Sequence, residues 1–250
     1  MRHLVVSALA ILATTWLVPT THADDDPKDI VKKAIEAHGG ADNLKKFLGT
    51  RAESKGSISI MGMDFEFTTQ SISQYPDKQK TIIQLDFMGN SLSIVQSING
   101  DQVSLMVNNM SQEVPDEQKQ ELKRGIEMQK VMNLTPLLEE KDYELKVIPG
   151  VKVNDRDTVG ISVTGRERPE IKVYFDKETY LLLKVERKAL DPSMAGVEAL
   201  QETILADYKE FNGVKKPMKT TIFLDGRKFM DAVNTKLEVV EKIDDKEFSD

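Results

Sequence analysis

Apolar and polar residues alternate with a period of two along most of the chain from Thr50 onward, and this alternation limits the fold more than any other feature. Ser57–Ile60 alternates on one parity and Met63–Phe67 on the other, so the intervening Met61-Gly62 is predicted to be a turn. Asn99-Gly100 separates two further alternating segments, and this dipeptide is a strong hairpin signal. The pattern predicts an antiparallel meander with one apolar face.

Helical periodicity interrupts this alternation at the start and in the middle of the chain. Pro27 suits the first position of a helix that Gly39-Gly40 ends, and a second short helix follows from about Ala41. The segment from Pro115 to Leu134 has apolar residues at helical spacing. No proline-rich linker divides the sequence, so residues 24–250 are expected to form a single domain of the α+β class, mainly antiparallel β.

Alternation returns after the middle helix and continues almost to the end of the chain. Asn154–Asp157 is predicted to be a turn, and Leu190–Gly196, which contains a proline and a glycine, is predicted to be a loop. The strands predicted in this half are Tyr143–Val147, Val159–Val163, Ile171–Phe175, Leu181–Val185, Glu202–Phe211, Met218–Leu224 and Phe229–Val240.

Residues 1–23 have the pattern of a cleaved secretory signal peptide. Arg2 and His3 precede an apolar run from Leu4 to Val18, and Thr21-His22-Ala23 supplies the cleavage site. The run is shorter than a membrane anchor. The chain contains no cysteine, so the signal cannot be of the lipoprotein type and the protein cannot contain disulfides. Its net charge of −7 argues against nucleic acid as a partner.

His38 is the only histidine outside this signal peptide, and it has two interpretations. It is either the last residue of the first helix, where the helix dipole favours a positive charge, or a catalytic or metal-binding group. We favour the first, because one histidine without any cysteine cannot build a multi-histidine or thiolate metal site.

Acidic residues offer no better candidate for catalysis. With 41 Asp and Glu in the chain, pairs such as Asp207/Glu210 and Asp244/Asp245 are expected on solvated faces, whereas a catalytic acid needs apolar surroundings that raise its pKa. Asn154–Asp157 resembles a calcium loop only locally, since no EF-hand spacing follows it. No nucleotide-binding or hydrolase motif is present. We therefore predict that the protein is not an enzyme and uses no cofactor and no metal.

Four segments carry a resemblance to a known family. Three lie in the last third: VYFDKETYLLLKVERK (173–188), ETILADYKEFNGVKKPMKTTIFLDGRKF (202–229) and IDDKEF (243–248). Their order resembles that of the LolA-like superfamily, which comprises periplasmic carriers of lipoproteins and related outer-membrane lipid-binding proteins. The opening AIEAHGGADNLKKF (34–47) is similar to that of outer-membrane lipoprotein-sorting proteins. These motifs are turn chemistry and strand pattern, so they indicate a fold more than an activity.

The resemblance implies a strongly curved, unclosed half-barrel with helices covering its concave face and an apolar cavity between them. It further implies a periplasmic protein, not itself lipidated, that shelters acyl chains of lipids or lipoproteins for transfer towards the outer membrane. A membrane-bound donor or acceptor protein is then an expected partner, and we expect a monomer. The alternative is a periplasmic sensor or interaction protein with this fold and no transport role, which would expose an apolar patch.

Methionine and phenylalanine suit a lining that adapts to different acyl chains, and methionines are frequent between residues 61 and 132. The alternative for each such residue is an ordinary place in a dry core. The expected lipid-binding residues lie on strands and on the middle helix, which is expected to face those strands. They are Met63, Phe65, Phe67, Leu85, Phe87, Leu92, Ile94, Leu105 and Val107 on strands, and Leu122, Ile126, Met128, Val131 and Met132 on the helix.

Overall fold

One antiparallel sheet of fourteen strands dominates the structure, a computed structural model that describes residues 26–87, 89–139, 141, 143–165, 168–194 and 196–248. The predicted signal peptide, residues 1–23, lies outside the described residues. The strands are β1 (Gly49–Ile60), β2 (Met63–Gln74), β3 (Lys78–Phe87), β4 (Asn90–Asn99), β5 (Gln102–Val107), β6 (Met110–Gln112), β7 (Tyr143–Ile148), β8 (Lys152–Val153), β9 (Arg156–Gly165), β10 (Arg168–Asp176), β11 (Leu182–Leu190), β12 (Glu198–Phe211), β13 (Val214–Leu224) and β14 (Arg227–Val240).

Hairpins connect most neighbouring strands, and the pairing of β1 with β14 joins the two halves of the sheet. The order across the sheet is β6-β5-β4-β3-β2-β1-β14-β13-β12-β11-β10-β9-β7, and β8 pairs with β9 off this path. The edge strands β6 and β7 do not pair with each other. Register shifts at Glu53/Ser54 and Ile222/Phe223 bend neighbouring strands. The expected unclosed, curved half-barrel is confirmed.

In the described residues, four α-helices and one 3-10 helix accompany the sheet: α1 (Pro27–Ala37), α2 (Ala41–Lys46), α3 (Asp116–Asn133), α4 (Pro136–Glu139) and the 3-10 helix Asp245–Phe248. Asp26 caps α1 by accepting a hydrogen bond from the Lys28 N–H at 2.9 Å, and Pro27 follows as the first helical residue. Within the described part of the chain, none of the helices has the length and apolar character needed to cross a membrane.

The four α-helices pack on one side of the sheet, which we call the inner face and define by Ala52, Ser71, Val173, Leu205 and Leu237. The 3-10 helix lies on the opposite face, where Glu247 pairs with Arg51. Cross-strand partners point to the same side of a sheet. Ala52 pairs with both Ser71 and Leu237, and the pairs Val173/Val185, Val185/Thr203 and Leu205/Thr220 continue this face across the other half of the sheet. The main core lies between this face and the helices. Its helical members are Ile30, Val31, Ala34, Ile35, Leu44, Val131, Leu134 and Leu137, and its strand members include Ile161, Val163, Ile171, Val173, Val185, Leu205, Val214 and Val239.

The predicted turns are mostly confirmed, with three shifts. The predicted turn Asn99-Gly100 begins one residue late, because Asn99 still pairs with Gln102 at the end of β4. Met61 and Gly62 form the β1–β2 turn, both with positive φ. The predicted loop Leu190–Gly196 begins one residue late, because Leu190 still pairs with Glu198 at the end of β11. The predicted turn Asn154–Asp157 is too long by two residues. Asn154 and Asp155 alone turn, whereas Arg156 and Asp157 already pair with β8.

Candidate functional site

A cavity of about 400 Å³ lies between the inner face and the helices. Its walls come from α2 and the residues that follow it, from α3, and from the inner faces of β1, β2, β12, β13 and β14. The apolar part of the lining includes Leu44, Phe47, Met128, Leu205, Ile222 and Leu237. This volume is at the lower end of the range of roughly 300–1,000 Å³ for small-molecule sites.

Two of the helical residues predicted to bind lipid line this cavity. Met128 and Met132 on α3 contribute to the wall and also pack against the main core. Val131 is fully buried in that core, whereas Ile126 is buried and Leu122 half-buried outside the cavity lining. Alternate faces of α3 therefore serve different roles, and only one of them meets the cavity.

The predicted strand residues lie together on the inner face, but away from this cavity. Phe65, Phe67 and Leu85 form a second apolar cluster with half-buried neighbours such as Leu92 and Ile83. Cross-strand pairing places the half-buried Ile94, Leu105 and Val107 on the same face, while Met63 remains 45 % exposed. Phe87 lies at the end of β3, where only its backbone is described.

The structure thus groups the predicted residues on one side of the sheet without bringing the two sets together. The helical residues meet the strands β10 and β11 and the cavity, whereas the strand residues cluster at the far ends of β1 to β5. Contrary to the expectation, α3 does not face the cluster of Phe65, Phe67 and Leu85. The helix packs elsewhere because its buried Val131 and its partly buried Met128 and Met132 contact the larger core.

His38 lies at the inner end of the cavity and is the C-cap of α1. Its Nδ1 lies 2.7 Å from the Ala34 carbonyl oxygen, so that nitrogen carries the proton, and its Nε2 accepts from the Leu182 N–H at 3.4 Å. The Tyr208 ring meets the imidazole edge to face at 5.6 Å. Both ring nitrogens are therefore engaged, and the residue ties α1 to the strands.

Burial also sets the charge of His38. Desolvation lowers its pKa to about 4, the bond to Ala34 opposes this shift, and the positive charges of Lys216 and Lys215 add to it. The imidazole is neutral at physiological pH. The predicted position at the end of a helix is confirmed, but the expected positive charge favoured by the helix dipole is wrong, because burial outweighs the dipole.

The charged residues in the cavity wall are all basic. Lys78, Lys215 and Lys216 line it, and among the described lining residues none is Asp or Glu. Lys78 has a partner in Asp245, with Nζ and Oδ1 2.9 Å apart. The Lys216 ammonium has no hydrogen bond or ion pair within the described part of the chain, and burial lowers its pKa. A basic, mainly apolar hollow is unexpected in a chain with a net charge of −7.

Two ionic contacts hold the elements that surround the cavity. On α3, Glu121 accepts from Arg187 of β11, with Oε1 and Nη2 2.7 Å apart and little exposure of either side chain. In the β10–β11 turn, the buried Asp176 accepts from the Thr179 N–H at 2.7 Å and from the Arg156 Nε at 2.7 Å. Burial alone would raise the pKa of Asp176, but these bonds outweigh it and lower the pKa.

Sequence reasoning missed the C-terminal side of the cavity, including Thr203, Leu205, Tyr208 and Lys216. One signal was present. Lys216 stands at the alternate position between Val214 and Met218, both of which are buried, and a lysine between two core positions of one strand is unusual.

No protein-family model and no functionally curated protein matches the sequence. Solved structures do match it in fold. A DUF1329 family protein from Desulfovibrio piger is 12 % identical, with a TM-score of 0.56, over 90 % of this chain and 98 % of that one. A putative outer membrane lipoprotein-sorting protein domain from Vibrio parahaemolyticus is 12 % identical, with a TM-score of 0.51, over 90 % and 97 %.

A LolA superfamily protein from Nitrosomonas europaea matches to the same extent, at 11 % identity and a TM-score of 0.52 over 90 % of this chain and 97 % of that one. Identities this low speak for architecture alone. The strand order, the unclosed sheet and the helices packed on its inner face agree with these matches. The chain therefore has the LolA-like fold.

Proposed function

We propose that this chain is a periplasmic binding protein that shelters acyl chains of lipids or lipoproteins in the cavity beneath α3 and passes them towards the outer membrane. Export would follow from cleavage of residues 1–23, and residues 24–250 would act as one domain. A membrane-bound donor or acceptor protein would load or unload the cargo. The observation that carries the proposal is the cavity itself, with Leu44, Met128, Leu205 and Ile222 in its wall.

The size of the cavity suits one chain. A methylene group fills about as much space as a water molecule in the liquid, roughly 30 Å³, so about 400 Å³ holds on the order of a dozen methylenes. At ~0.8 kcal/mol for each buried methylene, their transfer from water contributes about 10 kcal/mol before the costs of association. That is enough to hold a chain outside a membrane and still release it. Methionines in the wall adapt to chains of different shape.

A binding role also agrees with the state of His38. Its two ring nitrogens are occupied by Ala34 and Leu182, and it is neutral and buried. Tyr208 donates its hydroxyl proton to the Leu182 carbonyl at 2.6 Å, and burial raises its pKa further above the physiological range. These groups serve packing, which supports sheltering over catalysis.

A second candidate is an interaction or sensor protein, and exposed methionines favour it. Met61, Met63 and Met110 are 78 %, 45 % and 63 % exposed. They lie at the β1–β2 and β5–β6 hairpins, which the register places at the same end of the sheet. A partner protein or a membrane surface is what such a group of flexible apolar side chains would meet.

Native mass spectrometry of protein exported to its own compartment tests the proposal. Wild-type protein is expected to carry an added mass of a lipid. Ser71→Trp fills the cavity from β2 and is expected to abolish this mass, whereas Gln70→Trp, the adjacent residue on the opposite face, leaves it unchanged. Thermal melting shows that each variant is folded. A bare mass for the wild-type protein would overturn the carrier role and favour the interaction role.

A further inference from the structure

Lys216 is the group in the cavity that the proposed function does not yet use. It retains an intermediate solvent-accessible area, although protein surrounds it closely enough for burial to lower its pKa. An accessible area and a pKa lowered by burial are consistent with each other if the side chain faces an internal cavity and not bulk water. In the described part of the chain, the sealed side-chain atoms that lack a hydrogen bond are Glu121 Oε2 and Arg187 Nε. The unbonded Lys216 ammonium is not among them, so it touches open space.

The surroundings of Lys216 offer it no compensation. No acidic residue is present in the described cavity lining. The residues beside Lys216 in the sheet, Lys215 and the cross-strand partner Lys209, are both cations, and the nearby His38 ring is neutral. An ammonium held away from bulk water without a counter-ion destabilises the folded protein, whereas a methionine of similar length would not. A cation kept under these conditions fits a ligand that supplies the missing negative charge.

We propose that Lys216 binds the anionic head group of a single-chain amphiphile, a long-chain carboxylate, whose hydrocarbon tail lies along Leu205, Ile222 and Met128. This assignment rests on the proposed function and names its ligand class. The volume accommodates one chain of about a dozen carbons. A carboxylate beside the ammonium forms a charge-assisted hydrogen bond, which is about twice as strong as a neutral one.

Titration calorimetry with three ligands of equal chain length tests this assignment. Dodecanoate, dodecyl phosphate and dodecanol are added to the delipidated protein at pH 7. We expect dodecanoate to bind on the order of 10- to 100-fold more tightly than dodecanol, the range of one charge-assisted contact. Lys216→Met is expected to remove this preference, so that dodecanoate no longer binds more tightly than dodecanol. Lys209→Met, which removes an exposed lysine opposite Lys216 on β12, retains it.

The outcomes separate the two proposals. If dodecanoate and dodecanol bind equally well and Lys216→Met changes neither, the head-group assignment is wrong and the carrier role stands. If none of the three ligands binds, the carrier role itself fails. If dodecyl phosphate binds more tightly than dodecanoate and Lys216→Met removes this difference, the carboxylate assignment is wrong and the head group is a phosphate. Lys216→Met is expected to fold with a higher melting temperature than the wild type, and a lower one would show that the lysine has a structural partner.

Discussion

The buried ion pair between Glu121 of α3 and Arg187 of β11 leads to a quantitative prediction about the contact between α3 and the sheet. Their charged atoms are 2.7 Å apart, and the side chains are 16 % and 9 % exposed. With an effective dielectric constant near 20, the attraction amounts to about 6 kcal/mol. Desolvation opposes it, and Glu121 Oε2 and Arg187 Nε lack hydrogen bonds, each at a cost of ~1–3 kcal/mol. The pair is therefore close to neutral for stability.

Removal of one partner has a different result from removal of both. Glu121→Leu leaves the buried Arg187 without a counter-ion, so the free energy of unfolding should fall by about 3–5 kcal/mol. Arg187→Met should lower it less, by roughly 2 kcal/mol, because the Arg124 guanidinium remains 3.7 Å from Glu121. The double variant should unfold within about 1 kcal/mol of the wild type, since two apolar side chains then replace the pair.

Urea unfolding with equal m-values measures these differences. Lys123→Met on the same helix is the control, because its pair with Asp101 is exposed and should contribute less than about 1 kcal/mol. If the losses in the two single variants add in the double variant to within about 0.5 kcal/mol, the two residues act independently, and the reasoning from burial and pairing is refuted.

Three further predictions concern groups around the cavity. The pKa of His38 is lowered to about 4, so the unfolded chain binds more protons than the folded protein between pH 6.5 and 4, and stability should fall as the pH drops through that range. His38→Gln should remove this pH dependence of the melting temperature, and an unchanged pH dependence would contradict the prediction. The lowered pKa of Asp176 acts at lower pH, because its contribution to stability is present above about pH 4 and is lost as the pH falls further. Asp176→Asn should therefore lower the free energy of unfolding by ~2–3 kcal/mol at pH 7 and by less at pH 3, and a difference independent of pH would contradict this. Gly39→Ala places a Cβ 1.9 Å from a backbone oxygen at φ +122° and should lower the melting temperature strongly, whereas Gly125→Ala, with open space around its Cβ, should raise it. Equal effects of the two substitutions would show that the turn after α1 is not tightly packed.

The strands and their faces were predictable because their signals are local. A period of two and dipeptides such as Asn99-Gly100 depend only on neighbouring residues. The predicted strand residues Phe65, Phe67, Leu85, Leu92, Ile94, Leu105 and Val107 do share one face. The helix ends were predictable for the same reason, since Pro27 and Gly39 act on their own backbone. The lengths of β11 and β12 were less predictable, because cross-strand pairing extends β11 to Leu190 and starts β12 at Glu198.

The location of the cavity was beyond such reasoning, because it depends on where the helices pack on the inner face. A continuous apolar face runs along the sheet, and nothing local indicates that α3 covers β10 and β11 and not the cluster around Phe67. The charge state of His38 is a similar case. The end of a helix predicts a favoured cation, but only the packing of Tyr208 and Leu182 against the ring reveals that burial prevails.

Photo-crosslinking tests the central claim most directly, that an acyl chain lies in the cavity between the inner face and the helices. Dodecanoic acid with a diazirine in its tail is bound to the protein and irradiated, and the labelled peptides are identified by mass spectrometry. The account predicts labels within residues 128–134 and 203–208, which line the cavity from α3 and β12. Labels confined to the cluster of Phe65, Phe67 and Leu85, or spread over the outer face, would contradict it.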